Sequence, residues 1–149
     1  MGERIGLEIG FRRILVAVDG SPVSMRAVDH AVWLAKREAA ELVALHVVPR
    51  PPFEASFDPA QYFEDARRAA KRWLKDVEAA GLRQGVRIRS EILVDASSPL
   101  EMILGYAESN RVDLIVAGTR GRTPSSRMLM GSVASGLVQY ANCAVLVIR

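Results

Sequence analysis

Arg13 to Asp19 reads RILVAVD, an unbroken apolar run that ends in an acid and leads straight into Gly20-Ser21-Pro22. A strand that faces water on one side alternates apolar and polar residues. A strand buried on both faces of a parallel sheet stays apolar throughout, and this run is of the second kind. Ser21 then reads as a helix N-cap and Pro22 as the first helical position, where the missing N–H of proline costs nothing. Met25, Val28, Val32 and Ala35 keep helical spacing to about Ala40. Strand, turn and helix form one unit, and the rest of the chain repeats it.

Working outward, Leu42 to Val48 (LVALHVV) is a second buried strand, and the Pro- and Phe-rich stretch Pro49 to Pro59 is a loop. Ala66, Ala70, Trp73, Val77 and Ala80 mark one face of a long helix that Gly81 is expected to close. Val86 to Val94 mixes apolar residues with Arg87, Arg89 and Glu91, which suits an edge strand. Ser98-Pro99-Leu100-Glu101 is a capping box with proline at the first helical position, and its helix runs to about Asn110. Val112 to Ala117 is a strand, Val133 to Tyr140 a helix and Ala144 to Ile148 (AVLVI) a final strand. The order is β-α-β-α-β-α-β-α-β. Strands joined by helices make a parallel sheet with helices on both faces, so the fold class is α/β, an open five-stranded parallel sheet of Rossmann-like type.

The 149 residues fit one domain, here residues 12–149 after an N-terminal extension of residues 1–11. Half the chain is hydrophobic and a quarter charged, ordinary usage for a globular protein. Cys143 is the only cysteine, which excludes an intrachain disulfide and a cysteine-based zinc site. No apolar run suits a signal peptide or a membrane span, so a cytoplasmic protein with no membrane partner is the expectation. The net charge is +3, yet no carboxylate side chain follows Asp113. The 36 residues after it carry Arg120, Arg122, Arg127 and Arg149, leaving 16 basic residues against all 17 acidic ones in the rest. The positive excess therefore sits in the C-terminal quarter. A small anionic ligand fits that distribution better than a nucleic acid, which wants a broader basic face.

In open parallel sheets ligands sit beyond the carboxyl ends of the strands, where the strand order reverses. Two segments belong there. Val18-Asp19-Gly20-Ser21 ends the first strand, and Ala117-Gly118-Thr119-Arg120-Gly121 ends the fourth, followed nine residues later by Gly131-Ser132. Gly118 and Gly121 alone read as a strand-to-loop turn. With Gly131-Ser132 opening the last helix, whose free N–H groups form an anion site, they read as a phosphate cradle made of backbone. Ser132 adds a hydroxyl, and Arg120, Arg122 and Arg127 add positive charge. Asp19 reads either as a ligand contact or as a cap of the adjoining turn.

These residues carry a resemblance. Gly118-x₂-Gly121-x₉-Gly131-Ser132 is similar to the nucleotide-binding signature of the universal stress protein family. So are RRILVAVDGSPVS near the start, ALHVV in the second strand, VDLIVAGTRGR in the fourth and MGSVASGLVQYANCAVLVIR at the end. The resemblance implies a sheet of order 3-2-1-4-5 and an ATP-binding, dimeric stress-response regulator or sensor, with ATP or another adenine nucleotide, with or without Mg²⁺, as ligand. It implies that Asp19 contacts the nucleoside, that Ala17 and Val47 line the adenine pocket, and that Ala117 and Gly118 contact the nucleoside beside the phosphates. Gly121, Gly131, Ser132 and Val133 take the phosphate-binding positions. Arg120 stands where the family often has histidine, and Pro124 removes one potential amide donor from the intervening segment. The family's usual dimer pairs the last strands, here Ala144 to Ile148, and an uncharged edge strand wants a partner in any case.

Two other classes stand beside this one. A slow ATP hydrolase or phosphotransferase would need more than is present: GxxxxGK[ST] is absent, and Asp19 is the lone carboxylate on the rim. A nucleotide-independent interaction module would not need the glycine motif. His46, inside a buried strand, reads as a hydrogen-bonded structural histidine, and His30 as a surface or structural one. Cys143 reads as a small buried or interface residue. Arg67, Arg68, Lys71, Arg72 and Lys75 form a basic stripe flanked by acids, which reads as a solvated helix face.

Overall fold

The computed structural model describes residues 10–51, 58–120 and 130–149, apart from the side chains of 95 and 96. Five strands alternate with four helices: β1 Arg13–Ala17, α1 Pro22–Glu38, β2 Glu41–Pro49, α2 Pro59–Arg83, β3 Ile88–Ala96, α3 Pro99–Ser109, β4 Leu114–Gly118, α4 Ser132–Tyr140 and β5 Ala144–Ile148. All pairings are parallel, and the strand order is β3-β2-β1-β4-β5. This is the doubly covered α/β sheet that the alternation predicts. β3 is an edge strand, as its charged residues require, and β5 is the other edge.

The alternation of side chains along each strand divides the core in two. Ile14 and Val16 point to one face and pack with Val28 and Ala31 of α1 and Leu74 and Val77 of α2. Leu15 and Ile115 point to the other and pack with Ile103 and Ala107 of α3 and Leu137 of α4. Ile14, Leu15 and Val16 are each at most 1% exposed, so consecutive residues of one strand are buried on opposite sides. That is why RILVAVD carries no polar interruption.

Helix ends follow the caps. Ser21, Asp58 and Ser98 each accept a hydrogen bond from the amide three residues on, and each is followed by proline. The ends of α1 and α2 differ from the sequence reading, and β3 and β4 begin two residues later than it places them, at Ile88 and Leu114. α1 stops at Glu38, with Ala39 left-handed at φ 50°. α2 does not close at Gly81 but runs to Arg83, and the left-handed turn residue is Gly85, φ +78°. Gly81 is glycine for packing, because a Cβ there would lie 2.6 Å from the Ile88 side chain. Among the described residues, no helix is long and apolar enough to cross a membrane.

Candidate functional site

β1 turns one way to β2 while β4 continues the sheet the other way, so the reversal lies between β1 and β4. A cavity of about 420 Å³ opens at the carboxyl ends of these two strands. Its floor is apolar and belongs to the face covered by α3 and α4: Ala17 of β1, Leu45 and Val47 of β2, Ile103 of α3 and Ala117 of β4. Its rim is polar and is built from three helix starts.

The first start is that of α1. The Asp19 carboxylate accepts the Ser21 amide at 2.9 Å, closing an Asx turn. Ser21 Oγ accepts the Ser24 amide at 3.2 Å, and Ser24 Oγ donates to the Ser21 carbonyl at 2.9 Å. The turn-cap reading of Asp19 therefore holds, and the structure also places the residue at the cavity. One carboxylate oxygen orders the turn, while the residue itself lines the cavity. Ser24, buried in the first turn of α1, also reaches the cavity.

The second start is that of α4. Gly131 is its N-cap, with no side-chain cap. The amides of Ser132, Val133 and Ala134 thus have no intrahelical acceptor, and all three residues line the cavity. Their N–H groups and the positive end of the helix dipole face a site that favours an anion. The third start is Pro99 of α3, on the opposite wall.

Thr119 links these parts. Its amide donates to the Ile148 carbonyl at 2.7 Å and its carbonyl accepts the Gly131 amide at 2.6 Å. The backbone of one residue thereby fixes the N-cap of α4 against the end of β5. Behind the site, the His46 ring donates from Nδ1 to the Val18 carbonyl at 2.8 Å, since a carbonyl can only accept, and packs edge-on against Trp73 at 4.9 Å. It is a structural histidine, as its buried strand suggests.

Ala17, Val18, Asp19, Val47, Ala117, Gly118, Arg120, Gly131, Ser132 and Val133 all line this one cavity. Gly121 and Arg127 lie outside the described residues, as do Arg122 and Pro124. Sequence reasoning did not place Ser24, Leu45, Pro99, Ile103, Thr119 or Ala134 in the site. Pro99 carried a usable signal: α3 starts at the same sheet end as the cavity. Thr119 carried none, because its role lies in its backbone.

The two described glycines of the motif differ in their physical reason. A Cβ on Gly118 would stand 2.6 Å from Val23 Cγ1, so this glycine admits the first turn of α1 rather than a ligand. A Cβ on Gly131 would meet nothing closer than the Thr119 carbonyl oxygen at 3.4 Å. Packing among the described residues does not demand glycine there. Among the described residues no group of three or more His, Cys, Asp or Glu side chains could hold a metal.

Comparison with known proteins points one way. Residues 10–149 match the Usp family, described as the universal stress protein family. A universal stress protein of Methanocaldococcus jannaschii is 36% identical over 144 residues, covering 93% of this chain and 82% of its own length. The solved structure of universal stress protein UspA from Lactobacillus plantarum superposes with a TM-score of 0.86 at 30% identity, covering 94% of this chain and 99% of that one. A universal stress protein solved in complex with cAMP (TM-score 0.73, 23% identity, 94% and 98% coverage) shares the fold. So does one from Archaeoglobus fulgidus in complex with dAMP (TM-score 0.69, 23% identity, 93% and 98% coverage).

Proposed function

Since the chain belongs to the universal stress protein family, we propose that it is an ATP-binding regulator or sensor of the cytoplasm that works as a homodimer. The carrying observation is the facing of two helix starts across one cavity. Asp19 stands on the α1 side, and the amides of Ser132, Val133 and Ala134, which have no acceptor within α4, stand on the α4 side. The apolar floor of Ala17, Val47 and Ala117 accepts a flat base. The carboxylate of Asp19 accepts hydroxyl donors of a sugar, and the α4 N-terminus with Arg120 takes phosphate. Neighbours solved with cAMP and dAMP support the adenylate class.

Binding rather than turnover is the reading. No carboxylate side chain follows Asp113 in the sequence, so the segment that carries the glycine motif offers no carboxylate to act as base or to hold Mg²⁺. Asp19 is the one carboxylate lining the cavity among the described residues, and it is engaged at the turn.

Titration calorimetry with ATP, AMP and cAMP tests the proposal, using Gly131→Val as the control. The variant's backbone, φ −70° and ψ 170°, accepts valine without strain, while the side chain fills the phosphate end. The expected result is a saturable heat for wild type that is lost or weakened at least about tenfold in the variant. Equal heats from both proteins would sink the assignment. The dimer reading rests on β5, which among the described residues is an edge strand paired on one side only. Its test is the mass in solution by light scattering.

A further inference from the structure

A second hollow, about 430 Å³, lies on the same face of the sheet but at the opposite end, between α3 and the connection from α4 into β5. Leu104, Gly105 and Glu108 of α3 form one wall and Tyr140, Asn142 and Cys143 the other; the lining also holds Glu101 and Arg111, so its carboxylates outnumber its one cation two to one. None of these residues belongs to the nucleotide site.

Gly105 is the informative one. It sits inside α3, where glycine costs about 1 kcal/mol relative to alanine. A Cβ there would meet nothing within 4 Å, unlike Gly81, Gly118 and Gly136, whose missing Cβ positions are filled by neighbouring side chains. Among the described residues nothing accounts for the glycine. A close approach from outside does.

The surroundings identify what approaches. The hollow runs into the start of β5, the open sheet edge, beside Val138 and Tyr140, exposed at 54% and 60%. If every residue of Ala144–Ile148 pairs antiparallel with its copy, the twofold axis passes Leu146 and Ala144 faces Ile148. The next pair outward is Cys143 with Arg149. Residues opposed in an antiparallel pair point to the same side. Cys143 packs on the face covered by α3 and α4 and lines the hollow, so in that register Arg149 of the second copy falls on the same side, next to Cys143. Glu108 waits there, accepting a hydrogen bond from the neutral amide of Asn142.

We propose that this hollow seats Arg149 of a second copy of the chain, with Glu108 as its counter-charge and Gly105 as the space for its approach. The proposal rests on the strand-paired dimer and adds a charge-specific lock to an edge that would otherwise pair on backbone hydrogen bonds alone. A twofold axis repeats the contact, so each dimer holds two such seats.

Charge reversal tests it through the dimer dissociation constant, measured by analytical ultracentrifugation on the full chain. Glu108→Arg and Arg149→Glu are each expected to weaken the dimer at least about tenfold, and the double variant to recover most of that loss. Gly105→Leu is expected to weaken it similarly. That variant has open space and better helix propensity in the single chain, so its circular dichroism and melting temperature guard against misfolding. A dimer of unchanged affinity in Glu108→Arg and Gly105→Leu overturns the seat while leaving strand pairing intact. A wild type that stays monomeric at every concentration overturns strand pairing, and the seat with it.

Discussion

At the scale of single residues, two glycines of one motif do different work, and substitution separates them. Gly118→Ala drives a methyl into Val23, which is pinned in the first turn of α1. Overpacking of this kind costs typically about 1–3 kcal/mol, so urea unfolding without ligand should register the loss. Gly131→Ala meets only an ordinary contact among the described residues, so it should lose no more than the N-cap preference, about 0.5–1 kcal/mol and less than Gly118→Ala. A matching loss at both positions would contradict this division. Cys143 offers a pH handle on the same scale. Burial, then the charge of Asp113, push its thiol above the usual range. A raised folded value means the neutral form is favoured by folding. The contribution is therefore complete below the ordinary thiol range and is lost as pH rises through it. From about pH 7 to about pH 10, wild type should lose stability faster than Cys143→Ser, read as urea midpoints of the two proteins at each pH. Parallel profiles would refute the shift.

At the scale of elements, the caps set the boundaries, and α3 shows how much each end is worth. Ser98 accepts the Glu101 amide at 3.2 Å, so Ser98→Ala should cost about 1 kcal/mol by thermal or chemical unfolding. Gly105→Ala should move the other way by up to about 1 kcal/mol, because helix propensity improves and no atom is in the way. Most elements were legible in the sequence for the same physical reasons. Buried parallel strands must be apolar on both faces, and Ser-Pro steps at Ser21-Pro22 and Ser98-Pro99 announce helix starts. The end of α2 was not legible, because Gly81 has the composition of a helix stop while its tertiary role is to admit Ile88. The end of α1 was not legible either, since Ala39 adopts the left-handed region without being glycine. The site divides likewise. Asp19, Gly131 and Ser132 were readable as residue types suited to a ligand. Thr119 was not, because its contribution lies in its backbone, and Ser24, Leu45 and Ile103 enter the cavity only through packing.

At the scale of the whole molecule, the cavity sits on a seam. β1 and β4 are hydrogen-bonded over Ile14–Val16 only, whereas β1 and β2 pair along all of Arg13–Ala17. The lower end of the seam is stitched by Asp113, whose carboxylate accepts the amides of Arg12 at 2.8 Å and Arg13 at 3.1 Å. The upper end, where β1 leads to Asp19 and β4 to Gly118, has the cavity in place of a ladder. A ligand held by Asp19 on one side and by α4 on the other would join the two halves of the sheet where the protein's own bonds stop. Such a ligand binds the folded state alone, because neither helix start exists in the unfolded chain. The resulting stabilisation follows mass action: ATP at a hundredfold excess over its dissociation constant should add about 2.7 kcal/mol. For a chain of this length that amounts to a rise of roughly 5–10 °C in melting temperature. The rise should scale with the logarithm of ATP concentration and vanish in Gly131→Val, each protein being measured against its own unliganded melting temperature. An equal rise in the variant would place the nucleotide elsewhere on the molecule. No rise in wild type at millimolar ATP would remove ATP as the ligand.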